Sequence, residues 1–318
     1  MIATLLISWG AWAYTTDNCW TRPGGYVQVA ANVAYQNGTS PQKLDIYVPA
    51  DAGAPYKTVI VVHGGCFQWG GKGSLDVTKQ VTRLTNAGFA VISVDYRLAD
   101  PKNGKNLFPA SLEDVQDATR WVRANGDRYH LKTDQLIAFG YSAGGTLAAY
   151  LGTRVMTGSA NKADSKAVND PILSARVSGV VDLFGRTDFE HGRPNEKHSD
   201  DGRDCGEEYL GVNRAAQYEK QFAMASVLNG VDSNSARFLI MHGTDDKDVS
   251  VEHSELLYAK LEQTAPTRAQ ARKTQFFKIP GATHMFPRAG DMDEAWKKIC
   301  PFLSDVLGEP APVRTAAN

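Results

Sequence analysis

"QLIAFGYSAGGTLAAYL", residues 135–151, changes character at its centre. After Gln135, residues 136–139 form a continuous aliphatic and aromatic run, the composition of a strand covered on both faces. From Ala143 onward the residues are small or aliphatic and read as a helix. Ser142 stands between the two, with Gly140 and Gly144 two positions to either side. A serine joining strand to helix must sit on a very tight turn, and a β-carbon at 140 or 144 would collide with the neighbouring strand or helix. The pattern is G-x-S-x-G in its required strand–turn–helix context, a nucleophile elbow. Such a turn exposes the hydroxyl and aims the first amides of the helix at its surroundings.

On either side of this stretch, strand and helix signals alternate. "QKLDIYVP" (42–49) places Leu44, Ile46 and Val48 on one face and Lys43, Asp45 and Tyr47 on the other, which predicts a half-exposed outer strand. Residues 58–62, 89–96, 177–185 and 237–243 are continuous β-branched or aliphatic runs, as expected of buried parallel strands. Helices are predicted over 108–125, 251–263 and 291–307, the last capped by Asp291 with Glu294 three residues on and kinked at Pro301. This alternation implies one α/β domain with a mostly parallel sheet, spanning 41–307. Before it lie a possible signal segment (1–13) and an arm with the first strand (14–40); after it comes a tail (308–318). Residues 186–220 are polar and glycine-punctuated, and read as a lid or pocket wall over the sheet's carboxyl edge.

Composition narrows the partners. Among 318 residues, 34 Lys and Arg nearly balance 35 Asp and Glu, so no global field draws in nucleic acid or an anionic membrane. Specificity must come from a local pocket. "MIATLLISWGAWA" (1–13) resembles the apolar part of a secretory signal ending in A-x-A, and is too short to span a bilayer. A secreted or periplasmic location is expected on that reading, and a cytoplasmic one if the segment is not a signal. Cys19, Cys66, Cys205 and Cys300 contain no C-x-x-C pair, which argues against zinc or thioredoxin-like chemistry. The acidic residues Asp200, Asp201, Asp204, Glu207 and Glu208 fit no EF-hand spacing and read as a solvated cluster. No metal and no cofactor is expected.

A serine hydroxyl needs a base, and the base needs an acid to orient it. Of seven histidines, His130, His191, His198 and His253 fall in helices or polar loops and read as solvated. His63 and His242 begin H-G turns at strand ends, where they hold their loops by hydrogen bonds. His284, in the glycine-containing loop after the strand "FFKIP", is the expected base. The acid comes from "HGTDDKDV" (242–249), where Asp245, Asp246 and Asp248 compete.

"HGGCFQWGGK", "VDYRLA", "FPASLEDVQDATRWVRAN", "GYSAGG", "HGTDDKDV" and "GATHMF" occur in an order and spacing that resemble the α/β-hydrolases. The likeness is greatest to the branch of hormone-sensitive lipase and the bacterial acetyl and feruloyl esterases, and covers roughly residues 40–305. It implies an eight-stranded, mostly parallel sheet with helices on both faces and no large cap domain. It further implies Asp246 as the acid, through the family's T-x-D-x-x-V turn, matched by Thr244 to Val249. "H-G-G" resembles the family's H-G-G-G loop, so the implied oxyanion donors are the amides of Gly65, Cys66 and Ala143. Cys66 replaces the commoner glycine, and a disulfide from it to Cys205 is an expectation that would tether the overhanging loop. Phe67 and Trp69 are expected beside the pocket. The expected activity is a serine carboxylesterase acting on short-acyl or aryl esters, small or polysaccharide-linked. An amidase, formamidase or peptidase using the same triad is the alternative, and a non-catalytic binding protein on this scaffold is another.

Overall fold

The structure is a computed structural model that describes residues 25–36, 42–153, 174–191, 204–212, 216–267, 273–288 and 290–309. The possible signal segment, His198, Asp200 and Asp201 lie outside the described residues. Eight strands form one sheet: β1 (Tyr26–Ala34), β2 (Lys43–Pro49), β3 (Tyr56–Val62), β4 (Ala90–Val94), β5 (Leu131–Tyr141), β6 (Gly179–Leu183), β7 (Arg237–Gly243) and β8 (Gln275–Ile279). Their order is β1-β2-β4-β3-β5-β6-β7-β8. β2 runs antiparallel to both β1 and β4, and every other pairing is parallel. This is the α/β-hydrolase fold, with no large cap among the described residues.

The period-two alternation of the strands divides the core. Ile60 and Val62 of β3 and Leu136 and Ala138 of β5 face one apolar cluster, while Val59, Val61, Ile137 and Phe139 face the other. The first cluster is covered by α2 (Ala110–Asn125), α3 (Ala143–Thr153) and α6 (Glu252–Thr264), through residues such as Leu112, Leu147 and Leu257. The second is covered by α1 (Leu75–Asn86) and α7 (Asp291–Leu307), through Val81, Leu84, Ile299 and Leu303. Two short helices, α4 (Cys205–Leu210) and α5 (Glu219–Ala225), lie in the segment between β6 and β7.

Several expectations change. β1, not β2, is the edge strand, so Asp45 on β2 is buried; it accepts from the Asn32 amide at 2.7 Å and pairs with Lys72 at 3.1 Å. β5 begins at Leu131, ahead of the apolar run, because Tyr56 and Lys57 of β3 pair with Leu131 and Lys132. Gly290 rather than Asp291 caps α7, which continues through Pro301 to Leu307. Asp204 and Glu207 are not solvated. They cap α4 reciprocally, and Asp204 also meets the buried Arg186 at 3.3 Å.

Candidate active site

Ser142 sits in the one-residue joint between β5 and α3, with φ of +54°. The glycines around it carry no β-carbon because there is no room for one. A Cβ at Gly140 would lie 2.0 Å from Gly144 O, and one at Gly144 would lie 2.2 Å from Val62 O. The Ser142 amide donates to Leu183 O at 2.9 Å, which ties the elbow to β6. A left-handed serine is uncommon, and the packing of these backbones holds it there.

The loops after β7 and β8 bring the other two predicted side chains to this turn. His284 Nε2 lies 3.0 Å from Ser142 Oγ, and His284 Nδ1 lies 2.7 Å from Asp246 Oδ2. Of the three competing aspartates, Asp246 makes this contact, while the half-buried Asp248 brings a carboxylate oxygen within 4.8 Å of both residues. Asp245 is exposed and accepts from the Thr244 hydroxyl. Asp246 Oδ1 accepts from the Asp248 and Val249 amides at 2.9 and 3.0 Å, and His242 Nε2 stands 3.4 Å from Oδ2. Burial by itself pushes the Asp246 carboxyl up. The N–H donors of His242 and His284 more than reverse this and hold it well below the usual carboxylate range. The Phe184 ring, edge-on to His284 at 4.8 Å, backs the imidazole. The sequence had pointed to neither Phe184 nor the contact of His242 with the acid.

Of the three residues expected to donate to an oxyanion, Gly65 and Cys66 lie in the loop after β3 and Ala143 opens α3. Gly65 has φ of +114° and Cys66 +49°, and a Cβ on Gly65 would lie 2.0 Å from Trp69 O. Among the described residues no backbone carbonyl accepts from the amides of Gly65, Cys66 or Ala143. Beneath this loop His63 is buried, stacked on Tyr96 at 4.1 Å, with Nδ1 2.7 Å from Gly64 O. Burial pushes its pKa down to about 4, so the ring is neutral at physiological pH and acts as a strut.

Within the described part of the 186–220 segment, α4 packs into the core. Tyr209 on α4 is fully buried, stacked on Phe67 at 3.8 Å and edge-on to Phe108. Phe67 is therefore core, whereas Trp69 is 59% exposed at the surface of the same loop. A disulfide joins Cys66 to Cys205 with Cα atoms 5.4 Å apart, tying the oxyanion loop to the first residue of α4. Cys300 is also disulfide-bonded. Gln68 reinforces the join by donating to Glu208 at 2.7 Å. His253 is buried on α6, not solvated: its carbonyl accepts from Thr187 Oγ1 at 2.7 Å and its Nδ1 from the Asp188 amide at 3.2 Å. His130 and His191 are exposed.

Asp182 on β6 is buried beneath the elbow, and its Oδ1 accepts from the Gly185 amide at 3.0 Å. Burial raises its pKa to about 6, against the pull of His242 and of that amide. The unfolded carboxyl ionises near 3.8, so the folded protein loses stability relative to the unfolded chain as pH rises from about 4 to about 6. Asp182→Asn removes this loss. Denaturant unfolding at pH 4 and pH 7 should show the variant gaining up to about 3 kcal/mol on the wild type over that interval.

A match to the BD-FAE family runs through residues 44–261, from β2 to α6. The chain belongs to the BD-FAE family. Esterase LipC of Mycobacterium tuberculosis is 28% identical over 246 residues, which are 77% of this BD-FAE chain and 57% of LipC. The chain thus spans less than two thirds of that relative's length. Ethyl acetate hydrolase of Pseudomonas putida is 28% identical over 257 residues, 77% of this chain and 70% of the relative. Among solved structures, a bifunctional GH43-CE of Bacteroides eggerthii superposes with a TM-score of 0.70 at 25% identity, over 90% of this chain and 36% of that one.

Among the described residues, no helix of this family member is long and apolar enough to cross a membrane.

Proposed function

We propose that the protein is a serine carboxylesterase that hydrolyses short-acyl or aryl esters of the acetyl and feruloyl type through an acyl-enzyme. The observation that carries this reading is the unbroken line from Asp246 Oδ2 through both ring nitrogens of His284 to Ser142 Oγ, at 2.7 and 3.0 Å. The esterase and ethyl acetate hydrolase relatives support the same class of reaction.

In the first step Ser142 Oγ bonds to the ester carbonyl carbon and its proton passes to His284 Nε2. The ionised Asp246 stabilises the imidazolium through Nδ1–H. The carbonyl oxygen becomes an anion facing the Gly65, Cys66 and Ala143 amides; each such donor is worth about 3–4 kcal/mol in the transition state. His284 then returns the proton to the departing alcohol. Water repeats the sequence on the acyl-serine, releasing the acid. Because Cys66 lends its backbone N–H, its sulfur is free to serve in the disulfide. A donor misplaced by about 1 Å can lose much of its effect, so tying this loop to α4 favours turnover.

The exposed Trp69 indole lies against Gly65, since a Cβ there would come within 2.8 Å of Trp69 Cδ1. It offers a flat face to a ring on the substrate. That favours esters bearing a ring over long acyl chains. A series of p-nitrophenyl esters from acetate to decanoate, with methyl ferulate and p-nitroacetanilide, tests the reading. Acetate and ferulate should be turned over fastest, and the anilide at least about a hundredfold more slowly than the matching ester, because its carbonyl is less electrophilic and its amine leaves only once protonated. A faster anilide would make the protein an amidase, and a preference for decanoate would overturn the short-acyl assignment.

A further inference from the structure

His242 takes no part in the proton transfers proposed above, yet its ring reaches the oxygen on which they depend. It stands near the carboxyl end of β7, fully buried, with Nδ1 2.8 Å from Ser254 Oγ on α6. Its Nε2 lies 2.9 Å from Val249 O and 3.4 Å from Asp246 Oδ2. A carbonyl can only accept, so the proton is on Nε2, and the Ser254 hydroxyl donates to Nδ1. The same Oδ2 accepts from His284 Nδ1 at 2.7 Å, and Oδ1 is taken by two backbone amides. Two imidazoles therefore converge on one carboxylate oxygen, one facing the nucleophile and one facing the core.

We propose that His242 is a positioning residue for Asp246, its Nε2–H held by the Val249 carbonyl so that it fixes the carboxylate's rotation and shares its negative charge. This rests on reading Ser142, Asp246 and His284 as a catalytic triad. At 3.4 Å the contact is longer than a normal N–H···O bond, so the effect is chiefly electrostatic and orientational. The surroundings make it strong. His242 is sealed from water, where charge and dipole interactions are weakly screened. The charged groups facing it are Asp246 from the loop after β7 and Asp182 from β6. α6 contributes the uncharged Ser254 hydroxyl, and Phe184 turns an edge toward the ring at 6.3 Å. A loop strut would need only the Val249 and Ser254 bonds. The approach of Nε2 to Oδ2 is what assigns a role toward the acid.

Two substitutions separate these roles by atom position. His242→Gln carries an amide nitrogen to the place of Nε2 and preserves a donor toward Val249 O and Asp246. His242→Asn places its amide near Nδ1 and leaves Asp246 without that donor. With p-nitrophenyl acetate, His242→Asn should lower kcat by about tenfold to a hundredfold with KM changed by less than about twofold, and His242→Gln should recover most of the loss. The low-field proton resonance of His284 Nδ1–H should move further downfield in His242→Asn, because Asp246 then accepts from one partner fewer, and stay near the wild-type position in His242→Gln. Equal kcat in the two variants, or an unmoved resonance in His242→Asn, would overturn the proposal. The resonance needs no turnover and can also be read in a Ser142→Ala background, so a failure of the esterase reading is told apart from a failure of this one. If the Asn variant does not fold, the wild-type ¹⁵N spectrum decides: His242 must be protonated at Nε2 and bare at Nδ1, and the opposite tautomer overturns the assignment.

Discussion

Ser142→Ala should lower kcat for p-nitrophenyl acetate by about 10⁴- to 10⁶-fold, the range in which loss of a nucleophile that acts as a unit with its base falls. The substitution removes one oxygen and keeps the β-carbon. The left-handed backbone at +54° costs alanine about what it costs serine, and the collisions that forbid a Cβ at Gly140 and Gly144 are untouched. The melting temperature should therefore change by only a few degrees, corresponding to less than about 1 kcal/mol. KM should stay close to its original value because the pocket walls are unaltered. Some acceleration over water should survive, since the Gly65, Cys66 and Ala143 amides still face the carbonyl. Turnover within tenfold of wild type, with normal folding, would mean that another group attacks the ester and would sink the acyl-serine mechanism.

Asp246→Asn should cost about 10⁴-fold in kcat, by a different route. The carboxylate accepts from His284 Nδ1–H at 2.7 Å and so keeps His284 Nε2 free to take the serine proton. An amide nitrogen in the place of Oδ2 would donate instead, favouring the tautomer with its proton on Nε2. That tautomer cannot act as a base toward Ser142. The amide would also lack the charge that stabilises the imidazolium. Asp245→Asn is the matched control: its side chain is exposed and meets the Thr244 hydroxyl, so kcat should remain within about twofold. Side-by-side kcat measurements check the pair. Equal losses at the two positions, or a larger one at 245, would remove Asp246 from its assigned place.

Residue patterning leaves these neighbouring aspartates level, and only the resemblance to the family's T-x-D-x-x-V turn favours Asp246. Both are acidic, adjacent and in the same turn, and no periodicity separates them. Their difference arises because the Asp248 and Val249 amides fold back onto Asp246 Oδ1 and turn its other oxygen toward His284. Burial of single polar residues was illegible for the same reason. His253 lies among Glu252 and Glu255 in sequence, but α6 turns it toward Thr187 and Asp188. Asp45 alternates correctly for an exposed face, yet the added edge strand β1 covers it. The Cys66–Cys205 link spans 139 residues, and pairing at that range is set by which loops the sheet brings together.

The elbow was legible because its constraint is local. Gly140, Ser142 and Gly144 collide or fit within a few residues of one another, and the runs on either side have the distinct periods of strand and helix. Such short-range sterics and patterning were enough to read the mostly parallel α/β sheet, the elbow that carries Ser142 and the loop that carries His284. Asp246 as the acid came from the family resemblance and the Cys66–Cys205 pairing was an expectation; the packed structure shows both contacts, and it alone reveals that His242 reaches the acid from behind. Those contacts depend on groups far apart in the chain, and their energies exist only once the packed sheet has set their distances and excluded water.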